Sequence, residues 1–142
     1  MSTQAADRKR LGVRVLSPDG VVWEGAATMV VAPSVMGEVG ILPRHAPLIA
    51  FLRVGETRIK TLEETEVVLA TSEGYLSVEE DQVLVLVEQA EEAASIDRAR
   101  AEAALRQAEE AVAAAGEDET ARSAAESARR RAENRLRVAD RR

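Results

Sequence analysis

A single histidine, His45, sits in the stretch GEVGILPRHAPLI, residues 37 to 49, between Pro43 and Pro47 with apolar residues on either side. Imidazole is the side chain that ordinarily exchanges protons near neutrality, so acid–base chemistry would be sought here first. A general base needs a partner that tunes it, and the sequence offers no obvious one. Gly37 and Gly40 supply permissive backbone and the two prolines restrict it, so the stretch reads as a turn carrying a packed or interfacial histidine. The chain has no cysteine, which removes thiolate nucleophiles, disulfides and cysteine metal sites. With no nucleophile paired to a base, no metal-ligand cluster and no phosphate loop, the sequence points away from catalysis.

The remaining concentration of reactive groups is charge. The net charge is −6, which argues against nucleic acid as a partner, because phosphate binding needs a basic surface. Residues 1 to 90 carry −5, residues 91 to 121 carry −6 and residues 122 to 142 carry +5. In RRRAENRLRVADRR the cations suit the end of a helix dipole, and Arg129, Arg130 and Arg131 form a candidate group for an acidic partner surface. Purely apolar runs, such as Val83 to Val87, are far too short to span a bilayer, so direct membrane insertion is not expected.

Valine dominates before residue 90 and alanine after it. From Leu11 to Glu88 short runs such as LGVRVLS, PLIAFLRV, TRIKTL and QVLVLVE are separated by turn residues at Pro18-Asp19-Gly20, Gly37, Gly40, Pro43, Gly55 and Gly74. That spacing predicts an antiparallel β-sandwich over residues 11–90, with VLVLV, apolar on both faces, as a central strand. Residues 1–10 read as a flexible N-terminus. Residues 91–142 predict a two-helix antiparallel hairpin, with helices at about 96–115 and 119–140. Ser95 is the expected N-cap of the first helix, Gly116 its C-cap, and Asp118 or Thr120 the start of the second. A seam of Ala101, Leu105, Ala108, Val112 and Ala115 faces Ala121, Ala125, Ala128, Ala132, Leu136 and Ala139. Buried alanine methyls contribute only about 0.8 kcal/mol each, against roughly 1.5 to 3 for leucine, so the arms adhere weakly enough to move. A permanent coiled coil or an oligomerisation arm fits the same composition.

GEVGILPRHAPL at 37 to 48, VLVLVEQAEEA at 83 to 93 and SIDRARA at 95 to 101 together resemble the epsilon subunit family of bacterial F-type ATP synthases, over about residues 11 to 140. The resemblance implies an α+β fold, a sandwich of about ten strands followed by two helices. It also implies a place: the cytoplasmic face of the bacterial cell membrane, peripheral, bound to the gamma subunit and resting on the c-ring, with Glu38 and His45 near the ring. The opening Ile96, Asp97, Arg100, Ala101 matches a motif that binds ATP in part of that family, and Glu91 falls where such members have a further contacting acid. Arg100 would approach the phosphates and Asp97 the adenine or ribose; Asp97 also suits a first helical turn and Arg100 is a good helix former. Where the family often has Gly-Gly-Phe, this chain has Glu73-Gly74-Tyr75, which alters one turn.

The function so implied is a non-catalytic rotor subunit that couples the c-ring to the gamma shaft and restrains ATP hydrolysis when its hairpin extends toward the catalytic beta and alpha subunits. It requires no cofactor, and ATP acts as a regulatory ligand. A free-standing ATP-sensing protein whose hairpin closes on nucleotide is the alternative.

Overall fold

The computed structural model describes residues 10–141, so the flexible N-terminus expected over residues 1–10 falls, but for Arg10, outside the described residues. The chain divides into two compact units, one ending at Glu92 and one beginning at Ala93.

The first unit is a β-sandwich of nine strands: β1 (Leu11–Ser17), β2 (Gly20–Ser34), β3 (Gly37–Ile41), β4 (Leu48–Leu52), β5 (Gly55–Thr61), β6 (Glu66–Thr71), β7 (Gly74–Glu79), β8 (Gln82–Val87) and β9 (Ala90–Glu92). Hydrogen bonding runs in the order β1-β8-β7-β4-β2-β5-β6-β9, with β3 on β2, and β1 also pairs with β2 so that the sheet folds back on itself. Nine strands among the described residues agree with the expected sandwich of about ten, and β2 is one continuous strand of 15 residues. Its first half pairs with β1 and its second half with β3 and β5, with a register shift between Ala27 and Met29, an irregularity of the kind that bends a strand locally. The sandwich is also not wholly antiparallel, since β1 and β8 run parallel.

Alternation decides the core. Leu11, Val13 and Val15 from β1, Val83, Val85 and Val87 from β8, Leu76 and Val78 from β7 and Ile59 from β5 are all buried. Polar groups that share this interior are paired: the Thr57 and Thr71 hydroxyls lie 2.9 Å apart, and the Ser72 hydroxyl accepts from the Gln89 amide at 2.8 Å. Gly74 is required by close approach, because a Cβ there would fall 2.0 Å from the Leu86 carbonyl oxygen.

The second unit opens with a 3-10 turn, Ala93–Ser95, and continues into α1 (Arg98–Ala115) and α2 (Glu119–Ala139). The first N-cap is Asp97, not Ser95: its carboxylate accepts the Arg100 amide at 3.1 Å, while Ser95 closes the preceding 3-10 turn. Asp118 caps α2 in the same way and Gly116, at φ 56°, ends α1. Along the alanine seam Ala101, Ala108, Ala125, Ala132 and Ala139 are buried, and only Ala121, beside the interhelix turn, is exposed. Arg98 near the start of α1 pairs with Asp140 just past the end of α2, which fixes the antiparallel register at the foot of the hairpin.

Candidate functional site

Three features match or extend what the sequence suggests. The first is the 42–47 loop. The His45 amide donates to the Leu42 carbonyl at 3.1 Å, closing a β-turn with Pro43 and Arg44 at its centre. Arg44 has φ 70°, so the turn has the pattern of type II, in which proline suits the second position and a positive φ the third. His45 is half-buried and its Nδ1 lies 2.7 Å from the Ala46 carbonyl oxygen, a local hydrogen bond of a turn residue. Glu38 is not a free carboxylate: the Arg58 guanidinium donates to it at 3.1 Å and to Glu56 at 3.2 Å.

The second feature is the outer face of the sheet, which valine and leucine counts alone do not reveal. Because β8 buries Val83, Val85 and Val87, the pleat turns Leu84 and Leu86 outward. Cross-strand register continues the row: Leu86 faces Leu16 on β1 and Tyr75 on β7, and Tyr75 faces Phe51 on β4, with Ile49 one step along. Phe51 is 66% exposed, Ile49 72% and Tyr75 40%, whereas the leucines are half-buried. The result is an apolar surface four strands wide with Arg14, Gln82 and Glu79 toward one rim. The sequence signal for it was present in PLIAFLRV and VLVLV, which are apolar in both phases of the alternation.

The third feature is the start of the hairpin. Ile96 and Ala101 are buried, while Asp97 and Arg100 are exposed one turn apart, tied by the Arg100 amide to the Asp97 carboxylate. Glu91 is a half-buried residue of β9, in register with Ala70 of β6. On α2 the three consecutive arginines do not act as one group, since successive residues point about 100° apart on a helix. Arg130 is exposed and donates to the Ser127 hydroxyl at 3.1 Å. Arg129 and Arg131 are half-buried, and Arg129 Nε is buried without a hydrogen-bond partner. Among the described residues no cluster of His, Asp and Glu could hold a metal, and no helix is long and apolar enough to cross a membrane.

Residues 10–93 match the family described as "ATP synthase, Delta/Epsilon chain, beta-sandwich domain", and residues 94–140 match "ATP synthase, Delta/Epsilon chain, long alpha-helix domain". The chain belongs to the ATP synthase delta/epsilon family. Within the family it is similar to chains of the epsilon type, which are non-catalytic. It is 51% identical over 94 residues to the ATP synthase epsilon chain of Acidithiobacillus ferridurans, covering 66% of each chain. To the epsilon chain of Brevibacillus brevis it is 43% identical over 95 residues, covering 67% of this chain and 72% of that one. These alignments span about two thirds of the relatives' length. Among solved structures, a chain of the Euglena gracilis mitochondrial ATP synthase OSCP/F1/c-ring complex has a TM-score of 0.74 at 19% identity, covering 89% of this chain and 79% of that one. A chain of the Tetrahymena thermophila mitochondrial ATP synthase central stalk and c-ring has a TM-score of 0.57 at 11% identity, covering 93% and 98%. At such identities these likenesses concern the fold.

Proposed function

We propose that this delta/epsilon chain is a central-stalk rotor subunit of a proton-translocating F-type ATP synthase. It joins the gamma shaft to the c-ring at the cytoplasmic face of the bacterial membrane, held there peripherally through other subunits. The observation that carries this reading is the apolar outer face around Leu86, Tyr75 and Phe51. A contiguous apolar surface rimmed by polar groups is what a permanent protein partner covers, and here the partner is the gamma shaft. The turn at Pro43-Arg44-His45 belongs to the same unit and faces the c-ring in this arrangement.

The hairpin supplies regulation. Its weak alanine seam allows it to extend, and the net charge of +5 over residues 122 to 142 suits acidic surfaces on the catalytic beta and alpha subunits, where it restrains ATP hydrolysis. ATP is a regulatory ligand of the compact hairpin, held by Arg100 and Asp97 with Ile96 and Ala101, because a ligand that favours one conformation shifts the population toward it.

The test is co-purification from membrane extracts. The parent chain should be recovered with gamma and catalytic subunits, and Phe51→Asp should reduce that recovery by tenfold or more while leaving the circular dichroism spectrum unchanged, since a charge desolvated at an interface costs several kcal/mol and about 1.4 kcal/mol is already a decade. Recovery of the parent only as a free monomer that binds ATP would favour the sensor instead.

A further inference from the structure

Among the described residues four non-glycine residues have positive φ: Arg44 at 70°, Glu64 at 65°, Glu80 at 48° and Asp81 at 63°. Three of them meet at one point. Glu79 pairs with Gln82, so Glu80 and Asp81 alone make the β7–β8 hairpin turn, and positive φ at both is the geometry of a type I′ turn that normally takes Asn-Gly or Asp-Gly. Across from it Arg44 occupies a turn position that glycine or asparagine would fill without strain. Asp81 Oδ1 accepts the Arg44 amide at 2.6 Å, a short charge-assisted hydrogen bond, and the Asp81 carbonyl accepts the Gly12 amide of β1 at 2.8 Å. Unfavourable backbone persists where the surroundings over-determine it, and such positions gather at places that do work.

The geometry points to Asp81 as a positioning residue that ties the 42–47 loop to the hairpin bearing the apolar face, so that the two docking surfaces turn as one body. Asp81 itself lies in neither surface. β8 begins one residue after it and carries Leu84 and Leu86, β7 ends two residues before it and carries Tyr75, and the Gly12 bond adds β1 with Leu16. Without the carboxylate the 42–47 loop would be joined to β8 only through its flanking strands, β4 by way of β7 and β3 by way of β2 and β1. This inference rests on the rotor reading, because it assigns the loop to the c-ring and the face to the gamma shaft.

Two variants separate the acceptor from the strain. Asp81→Asn keeps a side-chain oxygen and tolerates positive φ; Asp81→Gly relaxes the backbone and removes the acceptor. In the isolated chain, amide exchange of Arg44 and His45 should accelerate roughly tenfold or more in Asp81→Gly, with Leu84 and Tyr75 unchanged, and should return toward parent rates in Asp81→Asn. In the reconstituted synthase, gamma binding should match the parent in both, whereas ATP-driven proton pumping per ATP hydrolysed should fall several-fold in Asp81→Gly and recover in Asp81→Asn. Parent-level pumping by an Asp81→Gly chain whose loop amides exchange fast would overturn the coupling role and leave Asp81 a turn residue. Asp81→Asn behaving like Asp81→Gly would equally exclude the acceptor as the cause. A parent chain that binds neither gamma nor ring would sink the rotor reading and the coupling role together, and the amide measurement would then show separately whether the tie itself exists.

Discussion

Glu38 and Arg58 are joined across a strand that separates them: Arg58 Nη1 donates to Glu38 Oε2 at 3.1 Å, although β3 and β5 each pair with β2 and not with one another. The hydrogen bond that Arg58 donates to Glu38 is the main reason its guanidinium titrates above its ordinary value; partial burial opposes the effect and Glu56 adds to it. A cation with a raised folded pKa contributes stability that is present below its unfolded pKa and lost only as pH rises through the folded one. For arginine that loss falls at strongly alkaline pH. The Arg58–Glu38 coupling from a double-mutant cycle with alanine, read from denaturant midpoints, should be about 0.2 to 1 kcal/mol, because both groups retain solvent. It should stay constant from neutral to mildly alkaline pH and shrink in salt. A coupling of zero would leave Glu38 free to meet a partner.

The strand unit should fold without the helices. Its interior holds Leu11, Val13, Val15, Ile59, Leu69, Leu76 and Val85, while the helical unit buries mostly alanine. A chain ending at Glu92 should therefore unfold cooperatively in urea, and Leu76→Ala should cost about 2 to 5 kcal/mol in both the full and the shortened chain. Loss of cooperativity on truncation would mean that the helices complete the core.

How much of this was legible beforehand differs by element. The hairpin was, because Ala101, Ala108, Ala125, Ala132 and Ala139 announce a seam by spacing alone and Gly116 has a single good use. The N-cap was placed two residues early, since Ser95 and Asp97 are both good caps and only the intervening 3-10 turn decides between them. The sandwich of about ten strands was legible too, with nine found among the described residues, but the length of β2 was not, because no turn residue marks its register shift between Ala27 and Met29. Asn134 and Val138 of α2 are buried without belonging to the expected seam. The junction at Asp81 had no local signal: Glu80-Asp81 reads as an ordinary polar turn, and its partner Arg44 is 37 residues away.

If the hairpin binds ATP, Arg100→Ala should weaken binding by about 1.5 to 3 kcal/mol, or roughly tenfold to a hundredfold, by removing a charge-assisted phosphate contact. The guanidinium is exposed, and the group of Arg100 that donates to the Asp97 cap is its backbone amide, so the helix should lose nothing. Asp97→Ala, by contrast, should lower helix content as well as binding, because its carboxylate caps α1. Titration calorimetry with circular dichroism separates the two. Equal ATP affinity in Arg100→Ala and the parent would return both residues to helix capping and propensity.

The basic end of the hairpin tests regulation, and the three arginines must be taken singly. Arg130 is exposed, so Arg130→Ala removes a charge at a cost to stability of about 0 to 1 kcal/mol and keeps helix propensity. Arg129 buries an Nε that has no partner, so Arg129→Ala exchanges lost packing of the aliphatic stem against relief of an unsatisfied donor, itself about 1 to 3 kcal/mol. Arg131 is half-buried and already engaged. If electrostatic contact with the catalytic subunits restrains hydrolysis, Arg130→Ala should raise steady-state ATP hydrolysis by the reconstituted complex with gamma binding and helix content intact, and added salt should raise the parent toward the same rate. A complex whose parent form is restrained but whose Arg130→Ala form hydrolyses no faster, at low salt, would show that Arg130 serves only its own helix. Restraint, where present, would then have to come from the shape of the extended hairpin rather than from its charge.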